Sequence, residues 1–245
     1  MKVFKPLLLG FLLGLLIHPL EAFSAPSTAI VPNKIYSQQL PAEQQFSCSG
    51  SFINDSGLLL TAAHCVPFGT FETNVRVTKP NGSQDFVKGY VVAKDEAHDL
   101  ALVQVEGVVT PDYFTVGENI HQGERVILAG FPAPDTYGYN LKSFNGEVQG
   151  LYDENIVVIK NTFVYGGMSG GTAYNSSKEL IGVTDVAIFQ DEELYEKNKH
   201  SDTAGIVLLD NVRAFLIKNK ALNTSPKNPQ VNPEFATVLL ITVTK

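Results

Sequence analysis

Charge is scarce in this sequence. Of its 245 residues only 18% are Asp, Glu, Lys or Arg, and 25 acids against 18 bases leave a formal net charge of -7. A chain with that balance repels polyanions, which excludes nucleic acid and anionic membrane surfaces as partners. Cysteine is scarcer, with two in the whole chain. His64 lies beside Cys65, but His18, His98, His121 and His200 show no ligand spacing, so no metal site is expected. No apolar run reaches the ~20 residues of a membrane-spanning helix, and no repeat of solenoid type is visible. Apolar residues as a class are plentiful. At 44% they suffice for one globular unit, which two small subunits can build, and they exclude a disordered chain.

The N-terminus has the order of an export signal. Lys2 and Lys5 supply the positive start, Leu7 to Ile17 is an almost unbroken apolar run, and small residues follow from Ala22 to Ala25. Residues 1–24 are therefore expected to be removed, with cleavage after Ser24; the alternative is a membrane anchor, for which the run is short. Export makes the mature chain secreted or periplasmic. In such a compartment Cys48 and Cys65 read as one disulfide, which over a loop of this size contributes about 3 kcal/mol. Two free thiols or half of a metal site are the competing readings.

Beyond a polar, Pro-containing entry segment at 26–45, the chain alternates short apolar runs with turn residues. Strands are predicted at Ser49–Ile53, Gly57–Thr61, Val75–Thr78, Phe86–Ala93 and Leu100–Val105, then at Arg125–Ala129, Leu141–Leu151, Ile156–Lys160, Leu180–Ile188 and Gly205–Leu209. Turns such as Asn54-Asp55-Ser56-Gly57 and Pro80-Asn81-Gly82 separate them. Many short strands at this spacing predict an all-β sandwich or a pair of barrels. Asp210 or Asn211 can cap a short helix with Val212, Phe215 and Leu216 on one face. Residues 221–233 carry three prolines and read as a linker. The apolar run Phe235–Val243 is read as a strand docked on the barrel, because a long exposed apolar strand is a liability; a partner-binding edge is the alternative.

Three places carry chemistry. Ser169 lies in Gly166-Gly167-Met168-Ser169-Gly170-Gly171. Acyl transfer needs a hydroxyl on a tight turn whose N–H groups converge on the oxygen that becomes negative, and glycine permits that backbone. Gly167 and Ser169 are the candidate oxyanion donors, each worth on the order of 3 kcal/mol of barrier. Alone, such a run is more often a plain loop. A serine hydroxyl becomes a useful nucleophile when a neutral imidazole takes its proton, and His64 is held between an apolar strand and Cys65. Asp99 opens the apolar run Asp99-Leu100-Ala101-Leu102-Val103, where a carboxylate can accept the other imidazole N–H and fix its tautomer. Asp95 and Glu96 compete with it, but read better as solvated turn residues.

The strings FSCSGSFINDSGLLLTAAHC, HDLALV and GGMSGG resemble the three signatures of the chymotrypsin-like serine protease superfamily, in the order His, Asp, Ser. The style is closest to compact bacterial glutamyl-endopeptidase and HtrA-type protease domains without a PDZ domain. The resemblance implies an all-β double antiparallel barrel of trypsin type with a short C-terminal helix. It divides the chain into a protease domain at 25–219, with a first barrel at about 33–115, a second at about 120–210 and a closing helix at 211–219, followed by a linker and strand-like tail at 220–245. It implies His64, Asp99 and Ser169 as catalytic triad, Gly167 and Ser169 N–H groups as oxyanion hole, a cysteine pair flanking the histidine, protein or peptide substrates and no cofactor. The substrate pocket should be framed by Phe163, Val164 and Tyr165, by Thr184, Asp185, Val186 and Ala187, and by Gly205. Asp185 stands where the family usually has Ser or Thr. With Asp191, Glu192 and Glu193 it reads first as part of a solvated acidic loop; selection of a basic substrate residue is the alternative. Met168 stands where digestive members carry the acid that pairs with a new N-terminus, so activation by that ion pair is not expected. An exported serine endopeptidase is the reading favoured; a catalytically silent homologue that binds a partner through the cleft or the C-terminal strand is the alternative. Oligomeric state leaves no mark in the sequence.

Overall fold

A computed structural model describes residues 44–67, 69–79, 81–110, 112–132, 137–188, 197, 199–223 and 230–244. The expected signal, the entry segment as far as residue 43, and the acids Asp191, Glu192 and Glu193 lie outside these residues, while the last two residues of the entry segment open the first strand. The first strands are β1 (Gln44–Phe52), β2 (Leu58–Thr61), β3 (Glu72–Thr78), β4 (Gln84–Asp95) and β5 (Leu100–Val105). There follow β6 (Arg125–Gly130), β7 (Lys142–Leu151), β8 (Ile156–Tyr165), β9 (Thr172–Tyr174), β10 (Leu180–Ile188) and β11 (His200–Val207). Helix α1 (Leu209–Lys218), a short α2 (Pro233–Ala236) and β12 (Thr237–Thr244) complete the chain.

The strands close two antiparallel barrels, ordered β1-β12-β3-β4-β5-β2 and β10-β11-β8-β7-β6-β9. Local chemistry sets the turns. Asn54 Oδ1 accepts the N–H groups of Ser56 (3.1 Å) and Leu58 (2.9 Å), and Gly57 takes a φ of 78° that its lack of Cβ allows, so β1 reverses into β2. In β3 the alternation of buried Val75 and Val77 with outward neighbours is the period of a half-buried strand. β5 is buried nearly throughout because it lies between the barrel interior and the neighbouring barrel.

Two differences from the sequence reading matter. β12 is a stave of the first barrel: Gln44–Ser51 pair with Thr237–Thr244 on one side, and Leu239–Ile241 pair with β3 on the other. The first barrel therefore draws on both ends of the described chain and not on residues 33–115 alone. Helix α1 starts at Leu209 with Leu208 as its N-cap, and neither Asp210 nor Asn211 caps it, because the chain passes from β11 into the helix almost without a loop. Val212, Phe215 and Leu216 are its buried face as expected. They pack with Leu100, Leu102, Leu180 and Val183 in an apolar seam between the barrels. Among the described residues no helix is long and apolar enough to cross a membrane.

Candidate active site

The residues singled out in the sequence meet where the barrels join. After β2 the chain makes one 3₁₀ turn, Ala63–Cys65. Cys65 is bonded to Cys48 of β1, with Cα atoms 5.8 Å apart. The two cysteines are thus a disulfide and not thiols or metal ligands. His64 is anchored from both sides as a consequence. Its backbone N–H donates to Asp99 Oδ1 at 2.8 Å, and its Nδ1 lies 2.5 Å from Asp99 Oδ2. Ala63 N–H donates to the Asp99 carbonyl at 3.1 Å, so backbone and side chain of one residue hold this turn. Asp99 does so at a φ of 51°, in the left-handed region that Asp tolerates better than most residues. Asp95 is engaged elsewhere: it pairs with His98 Nδ1 at 2.9 Å and accepts Ala97 N–H at 3.1 Å.

Ser169 comes from the second barrel, on the turn between β8 and β9. Gly167 (φ 91°) and Gly170 (φ 79°) supply the left-handed steps of that turn. A Cβ on Gly170 would collide with Thr61 Oγ1 and the Ser49 carbonyl, and one on Gly171 with the Ala129 carbonyl, so the glycines are required by close approach as well. Met168 is fully buried in the core of the second barrel and pins the turn by packing. Ser49 pins it from the first barrel: its N–H donates to the Ser169 carbonyl at 2.8 Å and its Oγ donates to the Gly167 carbonyl at 2.9 Å, while accepting Phe131 N–H at 2.8 Å. Nothing but its position after Cys48 marks Ser49 in the sequence. The N–H groups of Gly167 and Ser169 bond to no other described residue. Ser169 Oγ donates to the Asp185 carbonyl at 3.3 Å.

Electrostatics couple these groups. Burial pulls the His64 pKa down, but the hydrogen bond and charge of Asp99, with a smaller pull from Asp185, outweigh it and leave the imidazole above its ordinary value. Burial works against the Asp99 carboxylate, yet the hydrogen bond and charge of His64 and a hydrogen bond from Asp185 hold it below the ordinary range. Asp185, part-buried and beside the Asp99 charge, is pushed up to about 8.

The residues expected to frame a pocket divide. Phe163 is exposed, with its ring 5.8 Å from Phe144 and 5.0 Å from His200. Tyr165 packs 5.1 Å from His200 and 5.2 Å from Tyr137, whose hydroxyl it meets at 3.0 Å. Nothing in the sequence points to His200 or Tyr137. β11 brings His200 opposite Tyr165, a pairing that only the barrel register reveals. Val164 and Thr184 are buried, Val164 in the second barrel's core. Val186 and Ala187 are partly exposed on β10, and Gly205 lies opposite Val186, where a Cβ would strike that valine and Ile156.

Two closed six-stranded antiparallel barrels with a short C-terminal helix are the architecture of the chymotrypsin-like serine proteases. Residues 48–183, more than half of the chain, match the family model described as trypsin-like peptidase domain, and the chain belongs to that family. Among solved structures it is similar to the MamO protease domain from Magnetospirillum magneticum, with 20% identity, a TM-score of 0.54, and coverage of 68% of this chain and 86% of that one. It is also similar to the serine endoprotease from Yersinia pestis, with 19% identity and a TM-score of 0.52 over 71% of this chain. It spans 57% of that endoprotease's length. At such identities the likeness is one of fold. No curated protein matches the chain.

Proposed function

We propose that the chain is an exported serine endopeptidase that hydrolyses peptide bonds through His64, Asp99 and Ser169. The observation that carries this reading is the doubly bonded His64–Asp99 pair beside the glycine turn of Ser169. Ser169 Oγ, swung from the Asp185 carbonyl, attacks the scissile carbonyl carbon while His64 Nε2 takes its proton. Asp99 keeps the Nδ1 proton in place and stabilises the imidazolium. The N–H groups of Gly167 and Ser169 receive the oxyanion. His64 then protonates the leaving amine, an acyl-enzyme forms, and water repeats the sequence in reverse order. No cofactor enters these steps.

Phe163 and Tyr165, with Val186, Ala187 and Gly205, frame the pocket, and buried Val164 and Thr184 support it from behind. The aromatic wall favours an apolar substrate side chain. The Asp185 carboxyl lies within 4.8 Å of the Asp99 carboxyl, which argues against its selecting a basic one. The disulfide supports export. The mature chain is taken to begin near residue 25 and to form one protease unit, with the tail's β12 inside it. The test is cleavage of a mixed peptide library by the mature chain, beside Ser169→Ala and a fluorophosphonate probe. Cleavage and labelling that vanish in the variant establish the nucleophile. Neither cleavage nor labelling in the wild type overturns the enzyme and favours a partner-binding homologue.

A further inference from the structure

Asp185 sits on an irregularity. In the β10–β11 ladder Thr184 pairs with Ile206 and Val186 with Gly205, so Asp185 is the extra residue of a bulge. A bulge re-aims the side chain it carries, and this one is turned toward the triad. The Asp185 carboxyl lies within 4.8 Å of the Asp99 carboxyl, and its Oδ1 lies 4.0 Å from His64 Nδ1. Its own carbonyl receives the Ser169 hydroxyl. One residue therefore touches both the acid and the nucleophile of the proposed triad.

Two part-buried carboxyl groups at such close range do not both ionise readily at neutral pH; one keeps a proton that it can donate to the other. The donors present decide which. Asp99 accepts two N–H groups of His64, which favours its ionised form, whereas no donor N–H is bonded to the Asp185 carboxyl among the described residues. We infer that Asp185 is a positioning residue of the triad: a protonated carboxylic acid whose O–H donates to Asp99 and holds that carboxylate in line with His64. A hydroxyl in this place would donate at any working pH. A carboxylic acid donates only while it keeps its proton, so the arrangement makes the site sensitive to alkali. The titratable groups that face Asp185 are Asp99 from the turn before β5, His64 from the 3₁₀ turn and, more weakly, Asp153 from the β7–β8 connection. The negative Asp99 and burial keep the proton on, and His64 opposes them only when it is charged. Proton loss is expected near pH 8. The two carboxylates then repel, and Asp99 loses its support.

The kinetic consequence rests on the proposed catalysis, and the experiment separates the two. We would measure kcat/KM against pH for the wild type, Asp185→Asn and Asp185→Ala, and follow the His64 imidazole by NMR in Ser169→Ala alone and in each variant combined with Ser169→Ala. Asp185→Ala should lower kcat/KM roughly tenfold, the lower range for losing a hydrogen bond to a charged group, with KM little moved. Asp185→Asn, which donates from an amide, should restore most of that loss and remove the alkaline limb that the wild type shows near pH 8. The His64 signal should respond to a second titration near that pH when Asp185 is present and should not do so in the Asp185→Asn variant, whether or not the protein turns over. Identical pH profiles and imidazole titrations with Asp185 and in Asp185→Asn would overturn the inference and leave the peptidase standing. Absent cleavage with the second titration present would overturn the peptidase and leave the acid pair standing.

Discussion

At the scale of residues, the quantity that governs the proposed catalysis is the protonation of His64, since only a neutral imidazole can take the serine proton. Its pKa is raised above 6.5 because, against the opposing effect of burial, the hydrogen bond and charge of Asp99 prevail. The sign follows: at pH 6.5 the imidazole is still mostly charged, and activity should climb as pH rises through a value above that of an ordinary histidine. Asp99→Asn removes the dominant upward influence and leaves burial, so the acid limb of kcat/KM should move down in pH while kcat falls on the order of ten-thousandfold through loss of the productive tautomer. An acid limb that stays in place would show that Asp99 does not set the imidazole's charge. The triad candidates are legible in the sequence because each needs a recognisable neighbourhood: glycines at the serine, a cysteine at the histidine, an apolar run behind the acid. The aim of Asp185 is not legible, because a bulge depends on the partner strand.

At the scale of elements, the turn between β8 and β9 is held from the opposite barrel by Ser49. Its buried hydroxyl bridges the Gly167 carbonyl and Phe131 N–H. Ser49→Ala should strand both groups and cost about 1–3 kcal/mol, or a fall in Tm of about 2–4 °C for each kcal/mol in a chain of this size. Because the Gly167 carbonyl helps set the turn that carries the proposed oxyanion donors, kcat should drop several-fold with KM nearly constant. Thermal melts and steady-state kinetics check both; an unchanged Tm would mean that water replaces the hydroxyl. Element boundaries are legible where most of a strand is buried, as in β5 and β10, whose predicted and observed ranges coincide. β9 escapes a sequence reading because three residues after a glycine-rich turn show no period, and the first half of β11, His200-Ser201-Asp202-Thr203, is too polar to look like a strand until β8 pairs with it.

At the scale of the whole molecule, the chain's last described strand completes its first barrel. β12 fills the gap between β1 and β3, burying Val238, Leu239 and Leu240 and burying Thr242 against the histidine turn, where its Oγ1 meets Thr73 at 2.8 Å and donates to the Cys65 carbonyl at 2.9 Å. Sequence alone reveals the apolar run but not its seat, because the register is made with residues far away in the chain and an apolar strand buried on both faces has no alternation to read. Removing residues 237–245 would leave β1 and β3 with unpaired edges and open the barrel that holds His64. The truncated chain should lose its cooperative melt and its labelling by a fluorophosphonate probe. A gentler change, Thr242→Val, keeps the strand but deletes both hydroxyl bonds; it should lower stability by about 1–3 kcal/mol and slow Ser169 labelling several-fold. Circular dichroism melts and labelling rates measure the two effects separately. A truncated protein that melts like the full chain would mean that β12 is an ornament on a barrel closed by other means, whereas a stable Thr242→Val protein with slowed labelling would trace the route from the C-terminal strand, through the Cys65 carbonyl, to the imidazole.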